Sequence, residues 1–125
     1  MRALLLLPLI LAATSAPAQT DWSRAQRVEV RLSSFDFDPA TIRLPAGQPV
    51  VLRLVNSGGG GHNFAAPQFF AAARVGSGPV ERGAVEVPGR QTVEVRLVPA
   101  AGRYRLRCTH TFHTTLGMRG TIVVE

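Results

Sequence analysis

The sequence predicts an all-β fold, a Greek-key β-sandwich with a short helical or loop insert around residues 64–80. Three observations predict it. Apolar and polar residues alternate with a period of two in several short stretches. Pro and Gly turns separate those stretches at short intervals. Little of the 125-residue chain carries a helical pattern.

Trp22 to Gln26 reads as a short lead-in, and the first strand follows where Val28, Val30 and Leu32 alternate with Glu29 and Arg31. Ile42 and Leu44 flank Arg43 in the next alternating stretch, and Pro45-Ala46-Gly47 turns the chain. Val50 to Val55 is nearly continuous in apolar residues, the signature of a central strand covered on both faces. Between Asn56 and Pro88 the alternation lapses. Ser57-Gly58-Gly59-Gly60-Gly61 is a loop there, and Pro67 opens one or two helical turns reaching toward Arg74. After the Pro88-Gly89 turn, Val93, Val95 and Leu97 alternate with Thr92, Glu94 and Arg96, and Pro99 to Gly102 turns the chain back. Tyr104, Leu106 and Cys108 then share one parity and Arg103, Arg105 and Arg107 the other, so the thiol points into the core. Ile122 and Val124 form the inward side of a closing strand.

Met1 to Ala18 reads as an export leader rather than as structure. Arg2 is its positive end, Leu4 to Leu11 its apolar segment interrupted only by Pro8, and Ala16-Pro17-Ala18 its small-residue cleavage site. The apolar segment is well short of the roughly 20 residues that span a bilayer. The expected product is an exported, periplasmic protein without a membrane anchor: one domain over residues 19–125, monomeric. All 14 basic residues are arginine, against eight acidic residues; without Arg2 the net charge is near +5, which favours an acidic partner. The arginines are spread along strands rather than gathered in a run, and together with export this argues against nucleic acid. The single cysteine, in an oxidising compartment, can form no internal disulfide and calls for another explanation.

That explanation lies in Cys108-Thr-His110-Thr-Phe-His113-Thr-Thr-Leu-Gly-Met118 and in the distant Gly61-His62-Asn63-Phe64. One thiolate, two imidazoles and one thioether are the donor set of an electron-transfer copper site. Taken singly, a lone cysteine is a small hydrophobe, a methionine fills core gaps, and a histidine after glycines is a turn residue. Taken together, those readings leave unexplained why the cysteine and the sole methionine beyond the leader lie ten residues apart with a histidine midway. Structural zinc usually takes paired Cys or His at short spacing. A hydrolytic Cys108–His113 pair has no orienting carboxylate in view. His110 lies two residues past Cys108 and competes with His113 for the ligand position; His113 is favoured.

The chain resembles the cupredoxins, the small type 1 blue copper proteins that include the plastocyanin, pseudoazurin, amicyanin and rusticyanin types. The likeness spans essentially all of residues 19–125. It rests on Phe37-Asp-Pro-Ala-Thr-Ile-Arg-Leu-Pro-Ala-Gly47, Val55-Asn-Ser57 ahead of Gly61-His62-Asn63-Phe64, Gly102-Arg-Tyr-Arg-Leu-Arg-Cys108, and Gly117-Met-Arg-Gly120. The resemblance implies one copper ion held by His62, Cys108, His113 and an axial Met118, with Asn63 tying the His62 loop to the Cys108 segment. It implies an electron carrier that meets a redox protein partner at the His113 edge, and no enzymatic turnover of its own. The alternative is a periplasmic copper-binding chaperone using the same ligands.

Overall fold

The computed structural model describes residues 8–13 and 19–125. Most of the expected leader, including Arg2 and the Ala16-Pro17-Ala18 cleavage site, lies outside the described residues. Within it, Leu9, Ile10 and Leu11 are exposed. No helix among the described residues is long and apolar enough to cross a membrane.

Ten strands and one short helix follow a single 3-10 turn at Trp22–Arg24, which Asp21 caps by accepting a hydrogen bond from the Ser23 amide. The strands are β1 (Gln26–Ser33), β2 (Asp36–Asp38), β3 (Thr41–Leu44), β4 (Val50–Val55), β5 (His62–Ala65), β6 (Arg74–Ser77), β7 (Ala84–Val87), β8 (Thr92–Val98), β9 (Gly102–Arg107) and β10 (Arg119–Val124), with α1 at Pro67–Ala72. They form two five-stranded mixed sheets, ordered β2-β1-β4-β8-β6 and β3-β10-β9-β5-β7. β1 runs parallel to β4 and β3 parallel to β10, while the remaining neighbours are antiparallel.

The period of two places the core. Val30 and Leu32 of β1, Ile42 and Leu44 of β3, Val95 and Leu97 of β8, Leu106 of β9, and Ile122 and Val124 of β10 all enter one apolar cluster between the sheets. Phe64 is fully buried there, edge-on to Phe37 and to Phe70 with ring centroids 6.0 Å apart in each case. Such a ring contributes about 3–5 kcal/mol, judged by the cost of Phe→Ala in packed cores. β4 is central in its sheet as expected, but its two faces differ. Val50, Leu52 and Leu54 face the cluster, whereas Arg53 on the outer side is half-buried under ion pairs to Glu29 and Glu94 rather than under a further layer.

The segment from Asn56 to Pro88 holds the expected helical turn, opened by Pro67, and also three strands that the sequence reading did not place. Two of them lack the alternating signal. β5 is buried at all four positions and β6 is exposed at all four with an irregularity between Val75 and Ser77, whereas β7 does alternate, with Val85 and Val87 buried, and went unread. The glycine loop before β5 is fixed by Asn56, whose side-chain amide donates to the Gly60 and Val87 carbonyls at 2.8 and 3.0 Å. A Cβ on Gly89 would lie 2.2 Å from the Gly59 carbonyl oxygen, so only glycine permits these two loops to touch.

Candidate metal centre

Two structural features bring the donor residues to one end of the sandwich. β5 lies between β9 and β7 and points His62 to the same side as Phe64, so the imidazole ends up 2 % exposed at the margin of the core. β9 ends at Arg107, which leaves Cys108 as the next inward-facing residue, fully buried. The loop from Cys108 to Met118 then folds back on itself. The Cys108 amide donates to the Met118 carbonyl at 3.1 Å, and the Met118 amide donates to the His113 carbonyl at 2.9 Å. Backbone bonds therefore tie the thiol, the second imidazole and the methionine together before any side-chain contact is counted.

His62 Nδ1 lies 3.1 Å from His113 Nδ1, and His113 Nδ1 lies 3.3 Å from Cys108 Sγ. The three donor atoms all fall within 4.8 Å of one another. Met118 is fully buried in the same apolar cluster as Cys108. Donor atoms with bonds of about 2.0–2.3 Å to a common ion sit a little over 3 Å apart, and the His62–His113 and His113–Cys108 separations meet that spacing. A thiolate with two imidazoles suits a soft or borderline transition metal and not magnesium or calcium, which take oxygen donors.

The protonation state of His62 fits the same use. Burial lowers its pKa below the ordinary 6.5, and the neighbouring charges of His113 and His110 lower it further. A neutral imidazole keeps its lone pair available to a metal.

The surroundings hold these side chains in place. The Asn63 amide approaches Cys108 Sγ at 3.5 Å. The Asn63 side chain accepts from the Thr109 amide at 2.8 Å and donates to Thr109 Oγ1 at 2.7 Å, which joins the His62 strand to the Cys108 segment as expected. It also donates to Glu86 Oε1 at 3.0 Å. The other oxygen of Glu86 lies 2.9 Å from His110 Nε2. His110 is thus engaged by a carboxylate, while His113 stands against the thiol. Thr114 Oγ1 donates to the Cys108 carbonyl. The Phe35 ring meets His113 edge-on at 5.1 Å, and Phe112 and Leu116 are exposed on the same loop. Phe112 adopts a left-handed φ of 65° in that loop.

Glu86, Thr114 and Phe35 went unnoticed in the sequence. Glu86 sits in a strand that went unread, Phe35 is far in sequence from every donor residue, and Thr114, although next to His113, meets the Cys108 carbonyl only once the loop folds back.

A family model described as a cupredoxin-like domain matches residues 3–124. No protein of curated function matches the chain. Among solved structures, auracyanin B is 24% identical, with a TM-score of 0.60 over 90% of this chain and 93% of its own. Auracyanin A, a blue copper protein from the green thermophilic photosynthetic bacterium Chloroflexus aurantiacus, is 25% identical, with a TM-score of 0.58 over 79% of this chain and 98% of its own. The multicopper oxidase McoA from the hyperthermophile Aquifex aeolicus is 18% identical with a TM-score of 0.65; the match covers 90% of this chain but 32% of that one.

Proposed function

Because the chain belongs to the cupredoxin-like domain family, we propose that it is an exported type 1 copper protein that carries single electrons between redox partners. One observation carries the reading: His62 Nδ1, Cys108 Sγ and His113 Nδ1 converge within 4.8 Å at one end of the sandwich. The likeness to auracyanin A, a blue copper protein, supports it.

When bound, copper supplies a one-electron Cu(II)/Cu(I) couple. The chain's residues do the rest. Cys108, His62 and His113 would provide the strong donors and Met118 a weaker thioether sulfur, a mixed nitrogen and sulfur set that would serve both oxidation states. The hydrogen bonds of Asn63 to Thr109 and Glu86 keep β5 and the Cys108 segment at a fixed separation, so little moves when the charge changes. The apolar cluster around Cys108 and Met118 excludes water. His113 is only half-buried, and its imidazole offers the route by which an electron leaves toward a partner seated on Phe112 and Leu116.

The protein acts without turnover of its own. Multicopper oxidases share the fold, but a further copper centre needs more imidazoles than this chain offers. Its three histidines are His62, His110 and His113, and two are committed to the site described. We assign residues 1–18 to a cleaved leader and 19–125 to a monomeric, periplasmic copper domain. Its redox partner presents acidic groups to the arginine-rich surface.

Cyclic voltammetry of the copper-loaded protein distinguishes the carrier from a copper-delivery protein. A carrier gives a reversible one-electron wave and keeps its metal through repeated cycles and in the presence of a cuprous chelator. Loss of copper on reduction would identify a delivery protein instead.

A further inference from the structure

The two outer faces of the sandwich treat most of their arginines differently. On the β1-β4-β8 face three arginines share two carboxylates, and among the described residues only Arg96 of β8 is exposed without an ion pair. Arg27 pairs with Glu94 at 2.9 Å, Arg31 with Glu29 at 3.2 Å, and Arg53 reaches both carboxylates at 3.5 and 3.2 Å. On the other sheet, Arg103, Arg105 and Arg107 of β9 and Arg119 of β10 are all exposed. Among the described residues, none of these four pairs with a carboxylate. The two acidic groups on that sheet are already engaged: Glu125 pairs with Arg43 at 3.2 Å, and Glu86 holds Asn63 and His110.

The register sharpens the contrast. Arg107 stands directly opposite Arg119 across the β9–β10 ladder. Like charges at opposed positions destabilise a sheet, and Arg103, Arg105 and Arg107 repeat on alternate residues of one strand. A surface cleft of about 440 Å³ lies over these paired strands, lined by residues that include Arg105, Arg107, Arg119 and Thr114. Guanidinium groups left without a carboxylate partner are suited to bidentate capture of carboxylates.

The position of the row identifies its occupant. Arg107 immediately precedes Cys108, and Arg119 immediately follows Met118. Arg119 Nη2 donates to the Thr114 carbonyl of the loop that carries His113. From this end the row extends about 14 Å along β9 to Arg103, at about 3.4 Å per residue. A surface resting on Phe112 and Leu116 can therefore continue onto the arginines without a break. We propose that the outer face of β9 and β10 is the docking surface for a carboxylate-rich patch on the protein redox partner. The proposal rests on the electron-carrier reading above. The apolar loop tip makes the central contact, and the arginine row sets orientation and association rate.

A decaglutamate peptide is the probe, with vesicles of phosphatidylglycerol in phosphatidylcholine as the competing surface, both presented to the ¹⁵N-labelled, reduced, copper-loaded protein. The peptide is expected to shift the amides of residues 103–107 and 119–121 and to leave those of 27–31 and 53 in place. Arg105→Gln/Arg107→Gln is expected to weaken peptide binding about tenfold, whereas the charge-matched Arg27→Gln/Arg31→Gln changes it less than about twofold. Equal weakening by the two variants would reduce the effect to net charge and overturn the proposal. So would binding to the vesicles with none to the peptide, which would make the face a lipid-binding surface. The visible spectrum of the unsubstituted protein is recorded alongside. Its absence would remove the copper reading, and with it the redox identity of the partner, whatever the peptide map shows.

Discussion

Asn63→Ala tests how the site is held together. The Asn63 side chain makes three hydrogen bonds: to Glu86 Oε1 at 3.0 Å, to Thr109 Oγ1 at 2.7 Å, and from the Thr109 amide at 2.8 Å. It is 3 % exposed, so little water competes for its own polar atoms. At about 1 kcal/mol net for each bond, the substitution removes about 3 kcal/mol, reduced somewhat because Thr109 is exposed and regains water. For a domain of this size that lowers the melting temperature by about 10 °C or more. Urea unfolding of the metal-free protein measures the loss directly, since without copper the ligands do not mask it. The same substitution frees the Cys108 segment from β5, so the copper-loaded variant is expected to release metal to a chelator faster. A stability loss under about 0.5 kcal/mol, with unchanged metal release, would refute the view that Asn63 joins the two halves of the site.

Met118→Gln is expected to keep copper and shift the reduction potential, because an axial donor tunes the couple more than it holds the ion; loss of copper binding would contradict that role. His113→Gly is expected to abolish the intense colour and His110→Ala to preserve it, since His110 is engaged by Glu86 while His113 stands 3.3 Å from the thiol. His62 gives a pH dependence. Its pKa is lowered in the folded state, so below the ordinary 6.5 the unfolded chain takes up the proton first. The stability contributed by keeping His62 neutral is complete above that pH and is lost as pH falls toward the lowered value. Urea midpoints of the metal-free protein at pH 7.5 and 5.5 should therefore drop more for the unsubstituted chain than for His62→Gln, and equal drops would contradict this assignment.

Much of the architecture was legible because strands covered on one face alternate. Tyr104, Leu106 and Cys108 against three arginines gave both the strand and the inward direction of the thiol, and the structure shows Leu106 and Cys108 buried as read. The spacing from Cys108 through His113 to Met118 was legible because one loop carries it. The pairing of His62 with Cys108 is different in kind. It depends on β5 lying beside β9, and β5 gives no alternating signal because both its faces are covered. At the level of sequence these two residues were joined by the donor set they complete and by the resemblance, with no spacing to link them. Glu86 was hidden for a related reason: its bonds to Asn63 and His110 cross between segments far apart in the chain. The asymmetry between the two arginine faces was equally out of reach, since the ion pairs that engage Arg27, Arg31 and Arg53 depend on register across β1, β4 and β8.

Titration of the metal-free protein with Cu(II), followed by visible absorption, tests the central claim most directly. One equivalent is expected to develop an intense thiolate-to-copper band that saturates sharply, while Cys108→Ser, folded by far-ultraviolet circular dichroism, gives none. An equally strong band in Cys108→Ser, or none in the unsubstituted protein, would contradict a copper centre built on this thiol.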